Sequence, residues 1–64
     1  MTAVERLAAR VRAEFLEMPG MHLTLPQAQR LWGLDAETCE RVITMLVSNK
    51  VLRREHGVIR CAAA

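Results

Sequence analysis

The segment from Thr24 to Asn49, TLPQAQRLWGLDAETCERVITMLVSN, reads as two short helices hinged at one glycine, and the basic, glycine-centred run VLRREHGVIR follows it directly. Gly33 is the hinge, because it accepts a left-handed backbone that a residue with a Cβ resists. The order is helix, turn, helix, hairpin. A unit of this kind carries no catalytic chemistry of its own and works by laying its second helix against a partner.

The neighbouring segments complete a scaffold around this unit. Thr2 and Glu5 have the spacing of a capping box, in which each side chain satisfies an otherwise unpaired backbone donor. Val4, Leu7, Ala8, Val11 and Phe15 then recur at three- and four-residue steps, which predicts one amphipathic helix over about residues 3–18, ended by Pro19 and Gly20. From Met21 to Leu25 apolar residues alternate with His22 and Thr24, the pattern of a short strand available to pair with the later hairpin.

Thr24 and Gln27 repeat the capping box, with Pro26 tolerated because first-turn amides have no helical partner. Asp35 is the expected N-cap of the third helix, and Cys39, Val42, Ile43, Leu46 and Val47 form its buried stripe. Glu37, Glu40, Arg41, Thr44 and Ser48 occupy the opposite face. Asn49 is expected to end that helix in the left-handed conformation. Val51 to Arg54 and Val58 to Cys61 would then flank the turn Glu55-His56-Gly57 as a β-hairpin. The expected fold class is mainly α with a small β-hairpin (α+β), one domain over residues 1–64, with Ala62 to Ala64 frayed.

A chain of 64 residues has room for one compact core, and a hydrophobic content of 52% is enough to build it. No apolar stretch approaches the roughly 18 residues of a membrane span, and the N-terminus lacks the apolar region of a signal peptide. The expectation is a cytoplasmic protein in which Cys39 and Cys61, neither in a C-x-x-C pair, are reduced thiols, although a disulfide between them stays open.

The formal charge of +2 is too small to announce a nucleic-acid partner, so its distribution matters more. Up to Glu17, Arg6, Arg10 and Arg12 are offset by Glu5, Glu14 and Glu17. Lys50, Arg53, Arg54 and Arg60, by contrast, face only Glu55. The positive field sits in the hairpin.

The segment LTLPQAQRLWGLDAETCERVITMLVSNKVLRREHGVIR, roughly residues 23–60, resembles the winged helix-turn-helix of bacterial transcription regulators of the MarR and IclR types. The resemblance rests on Ala28, Trp32, Gly33, Leu34, Thr38, Cys39 and Val42 in the small, apolar, glycine, apolar, threonine, apolar and apolar places of that pattern. Leu46-Val47 and the wing residues Leu52, Arg54 and Gly57 extend it. Two positions depart: Gln29 stands where these families usually carry a second small residue, and Lys50 where they usually carry glycine.

The resemblance implies a regulator that binds duplex DNA. Asp35, Ala36, Glu37, Glu40, Arg41 and Thr44 would face the major groove, with Arg41 and Thr44 near bases or phosphates. Gln27 and Arg30 would meet the neighbouring backbone. Lys50, Arg53, Arg54 and Arg60 would reach flanking phosphates from the wing.

Acidic residues on the groove-facing side weigh against a simple DNA reading, since carboxylates near phosphates repel. Asp35 and Glu37 have a blander role in favouring the helix dipole. The alternative is a winged-helix protein-interaction module whose acidic third helix meets a basic partner or forms a homodimer. A DNA-binding form would itself need a dimer for tight binding at physiological salt, built on the first helix or on an exposed part of Trp32. The wing cations have their own bland account as charges that protect a hairpin edge from aggregation.

Other chemistries find little support. There is no G-x-S-x-G, phosphate loop or acid and base pair placed in a cleft, so neither an enzyme nor a cofactor or small-molecule substrate is expected. His22, Cys39, His56 and Cys61 lack metal-site spacing. Cys61-Ala62-Ala63-Ala64 formally matches a prenylation signal, yet Cys61 is expected to end a strand.

Overall fold

Reciprocal caps start the first two helices of this computed structural model, which describes residues 2–62. Helix α1 runs Ala3–Glu17, with Thr2 and Glu5 exchanging bonds of 2.9 and 3.1 Å as a capping box. Strand β1 (His22–Thr24) follows, and Thr24 serves at once as its last residue and as the N-cap of α2 (Leu25–Trp32). Its partner in the second capping box is Gln27, at 2.9 and 3.3 Å. Asp35 caps α3 (Ala36–Ser48) by accepting from the Thr38 amide at 3.2 Å.

The two helix ends that set the path of the chain use left-handed residues. Gly33 has φ +63°, and the Leu34 amide reaches back to the Gln29 carbonyl at 3.0 Å, which turns the chain from α2 into α3. At the end of α3 the sequence expectation fails by one residue. Asn49 keeps an ordinary φ of −85°, and Lys50 takes φ +63° instead. The reason is hydrogen bonding: the Lys50 amide donates to Val47 and the Val51 amide to Leu46, at 3.0 and 2.9 Å, the paired bonds of a Schellman ending. Lys50 thus occupies the glycine place of the resembling pattern in the backbone conformation that glycine suits best.

Strands β2 (Leu52–Glu55) and β3 (Val58–Cys61) form the hairpin. Its turn is two residues long rather than three, with His56 at φ +52° and Gly57 at +77°, the signs of a type I′ turn whose twist matches the strands. Glu55 therefore belongs to β2, opposite Val58. Strand β1 pairs antiparallel with β3, so the sheet order is β1-β3-β2 and the expected pairing of the early strand with the hairpin is found. Ala62 is tied to Val51 by a 3.0 Å backbone bond, against the expected fraying at that residue, while Ala63 and Ala64 lie outside the described residues.

The arrangement is α+β and winged-helix-like, three helices packed on one face of a three-stranded sheet. Ala8, Val11 and Phe15 from α1, Ala28 and Trp32 from α2, and Cys39, Val42, Ile43 and Leu46 from α3 meet Leu52 and Ile59 of the sheet in one core. Val47, expected in the buried stripe, is half-buried at its margin. Phe15 and Trp32 pack with ring centroids 6.1 Å apart and planes tilted by 53°. No disulfide joins the buried Cys39 and Cys61. No helix among the described residues is long and apolar enough to cross a membrane.

Candidate nucleic-acid interface

Strand register divides the hairpin's arginines between two faces. Successive side chains on a strand alternate sides, so a shift of one residue reverses the face. Leu52 and Cys61 point inward, as do the aligned Arg54, Ile59 and Leu23 one step further along. Arg53, Arg60 and His22 form the intervening row on the outer face, and Glu55, Val58 and Thr24 the next. Arg54 therefore extends from the core side of β2 beyond the edge of the core, toward α3.

There Arg54 joins the wing to the exposed face of α3. Its Nη2 lies 2.7 Å from Glu40 Oε1 and donates to Thr44 Oγ1 at 3.1 Å. Glu40 and Thr44 are one helical turn apart, so a single guanidinium spans both. Arg41 stands beside them, held by Glu37 at 3.0 Å in the favourable order of acid before base along the helix. Arg41, Thr44 and Arg54 thus share one surface.

Arg53 and Arg60 lie elsewhere. They are directly opposed on β2 and β3, and Glu55 lies 3.2 Å from Arg53 and 3.6 Å from Arg60. Like charges in opposed positions destabilise a strand pair, and the shared carboxylate offsets that repulsion. The four wing cations therefore do not form one field on one side. Lys50, exposed at the left-handed end of α3, takes part in none of the ion pairs described.

The α2 candidates are exposed as well. Gln27 commits its carbonyl oxygen to the Thr24 amide, which leaves its NH2 group available as a donor, and Arg30 sits in the last turn. Asp35 is occupied as a cap. Its carboxyl is held below the usual range chiefly by hydrogen bonding to Thr38, so it stays ionised at the start of α3.

Trp32 is only 8% exposed, and its indole N–H donates to Glu14. That removes it as a dimer surface, because the ring packs on Phe15 and the polar edge is bonded within the chain. Among the described residues the exposed large apolar side chains are Leu16, Met18 and Leu31. A shallow groove also runs between the start of α1 and α3, floored by Val4 and Met45 and rimmed by Thr2, Thr44, Ser48 and Asn49. No cluster of metal-ligating side chains occurs among the described residues, and His22, Cys39, His56 and Cys61 do not converge.

Sequence reasoning missed the Glu40–Arg54–Thr44 junction. The alternation of Arg53 and Arg54 was the available signal, since only one of two adjacent strand residues can face the helices. Comparisons with models of protein families, with curated proteins and with solved structures return no match for this chain.

Proposed function

We propose that this chain is a small winged-helix DNA-binding protein of the bacterial cytoplasm, acting in transcription regulation. The observation that supports it best is the junction of α3 with the wing, where Arg54 spans Glu40 and Thr44 at 2.7 and 3.1 Å beside Arg41. This makes one continuous exposed face from a helix of groove-fitting size and a strand-borne cation.

In this reading α3 enters the major groove, Arg41 and Thr44 meet base edges or phosphates, and Arg54 meets the backbone alongside. Gln27 and Arg30 of α2 and Lys50 at the end of α3 contact neighbouring phosphates. Arg53 and Arg60 lie on the outer side of the sheet and contribute only a general field to a duplex seated on α3.

The test is fluorescence anisotropy of a labelled random-sequence duplex between about 50 and 200 mM salt, where phosphate contacts weaken steeply. Replacing Arg41 and Arg54 together by Ala should lower affinity by roughly threefold or more and flatten the log–log salt slope by at least about 0.9, one phosphate contact. Replacing Arg53 and Arg60 should do much less. Equal effects of the two pairs would refute the assignment of the face.

The apolar floor of Val4 and Met45 beside Glu40 favours a second reading, a groove for a basic amphipathic segment of a protein partner. Absence of duplex binding at the lower salt would shift the assignment to it.

A further inference from the structure

A free carboxylate is out of place in a phosphate-binding face, because it repels the backbone it must approach. Glu40 lies in that face, but it is not free. Its 2.7 Å contact with Arg54 is shorter than the contacts that Glu37 and Glu55 make with Arg41, Arg53 and Arg60, at 3.0 to 3.6 Å. The Arg54 nitrogen that meets Glu40 also donates to Thr44, so two groups on one side of α3 grip the wing's inward arginine. Register explains why: Arg54 shares a face with Ile59 and Leu23, and its side chain reaches α3 while staying partly exposed.

Resting on the duplex reading above, we infer that Glu40 is a specificity-determining residue that competes with DNA phosphate for Arg54. Specificity is a difference between affinities, and it rises when sequence-independent attraction is weakened as well as when base contacts are improved. The Glu40–Arg54 pair is half-exposed, at 46% and 39%, so water and salt screen it and a phosphate can displace the carboxylate. Displacement exchanges one charge-assisted bond for another and leaves Glu40 unpaired beside the backbone. Loose encounters with arbitrary sequence therefore gain little from Arg54. The groove contacts of Arg41 and Thr44 then carry a larger share of the choice of site.

A double-mutant cycle tests this on the same random-sequence duplex, with wild type, Glu40→Gln, Arg54→Ala and the double variant. Gln keeps the shape of Glu at this half-exposed helix position, and unchanged melting confirms that the fold is retained. With Arg54 present, Glu40→Gln should raise affinity by roughly three- to tenfold and steepen the log–log salt slope by about 0.9, one added phosphate contact. In the Arg54→Ala background the same change should alter affinity by less than about twofold and leave the slope unchanged.

An equal gain in both backgrounds would mean that Glu40 is only a general repulsive charge, and would overturn the inference while leaving duplex binding intact. A loss of affinity with Glu40→Gln would overturn it too. No binding by any of the four proteins at about 50 mM salt would instead overturn the duplex reading on which it rests.

Discussion

Lys50→Gly should make the protein more stable, even though it removes a cation and inserts the most flexible residue. Lys50 has φ +63°, a conformation that costs an L-residue roughly 1–2 kcal/mol relative to glycine. Glycine returns part of that gain, about 0.4–1 kcal/mol, through the greater freedom it gives the unfolded chain. The backbone bonds that require the left-handed turn, from Lys50 to Val47 and Val51 to Leu46, survive the substitution. The side chain is exposed and makes none of the described ion pairs, so its loss adds little.

The net gain is about 0.5–1 kcal/mol, or roughly 2–8 °C in melting temperature for a domain of this size. Circular-dichroism melts of three variants measure it. Lys50→Ala keeps the strain while removing the charge and should melt near wild type. Asn49→Gly, at φ −85°, relieves nothing and should melt lower. A Lys50→Gly protein that melts at or below wild type, or an Asn49→Gly protein that gains as much, would refute the strain argument.

Other substitutions probe the core, the caps and the thiols. Phe15 is fully buried against Trp32, so Phe15→Ala should cost about 3–5 kcal/mol, comparable with the whole stability of a domain this small, and abolish a cooperative urea transition. Asp35 has its carboxyl lowered below the usual 3.8 by bonds from Thr38, so its stabilising effect is complete above that value and lost as pH falls through the lower folded value. Asp35→Asn keeps a cap without this titration, and an acid series of melts should show a shallower decline than wild type below about pH 4. Cys39 is fully buried and its thiol is pushed up by desolvation, with Glu40 adding to the effect. Peptide mapping after alkylation should find Cys39 protected under native conditions and modified on unfolding; rapid native labelling would contradict its burial.

Each helix was legible because its signals are local. Capping pairs such as Thr2 with Glu5 and Thr24 with Gln27 lie three residues apart, and apolar steps along α1 and α3 report a face directly. The pairing of β1 with the hairpin was also legible as an expectation from alternation at Met21 to Leu25. Local pattern was weaker at chain reversals. Asn49 is the better left-handed residue by type, but the two bonds closing α3 require that conformation at Lys50. His56 and Gly57 form a two-residue turn because both take positive φ, a feature that composition alone did not separate from a three-residue loop.

Length, capping, periodicity and the hinge at Gly33 thus determine, from sequence alone, three helices followed by a basic hairpin and the apolar residues that build their core. Which charges act together was decided only by tertiary structure. Arg53 and Arg54 are neighbours in the chain, yet strand alternation and sheet register send one to Arg60 and Glu55 on the outer face and the other to Glu40 and Thr44 on α3. Trp32 likewise lost its place on a partner surface when α1 supplied both Phe15 and Glu14 to it. Periodicity along one element says which side is apolar. The partners of a polar side chain depend on how separate elements are set against each other, and that is fixed by packing of the shared core.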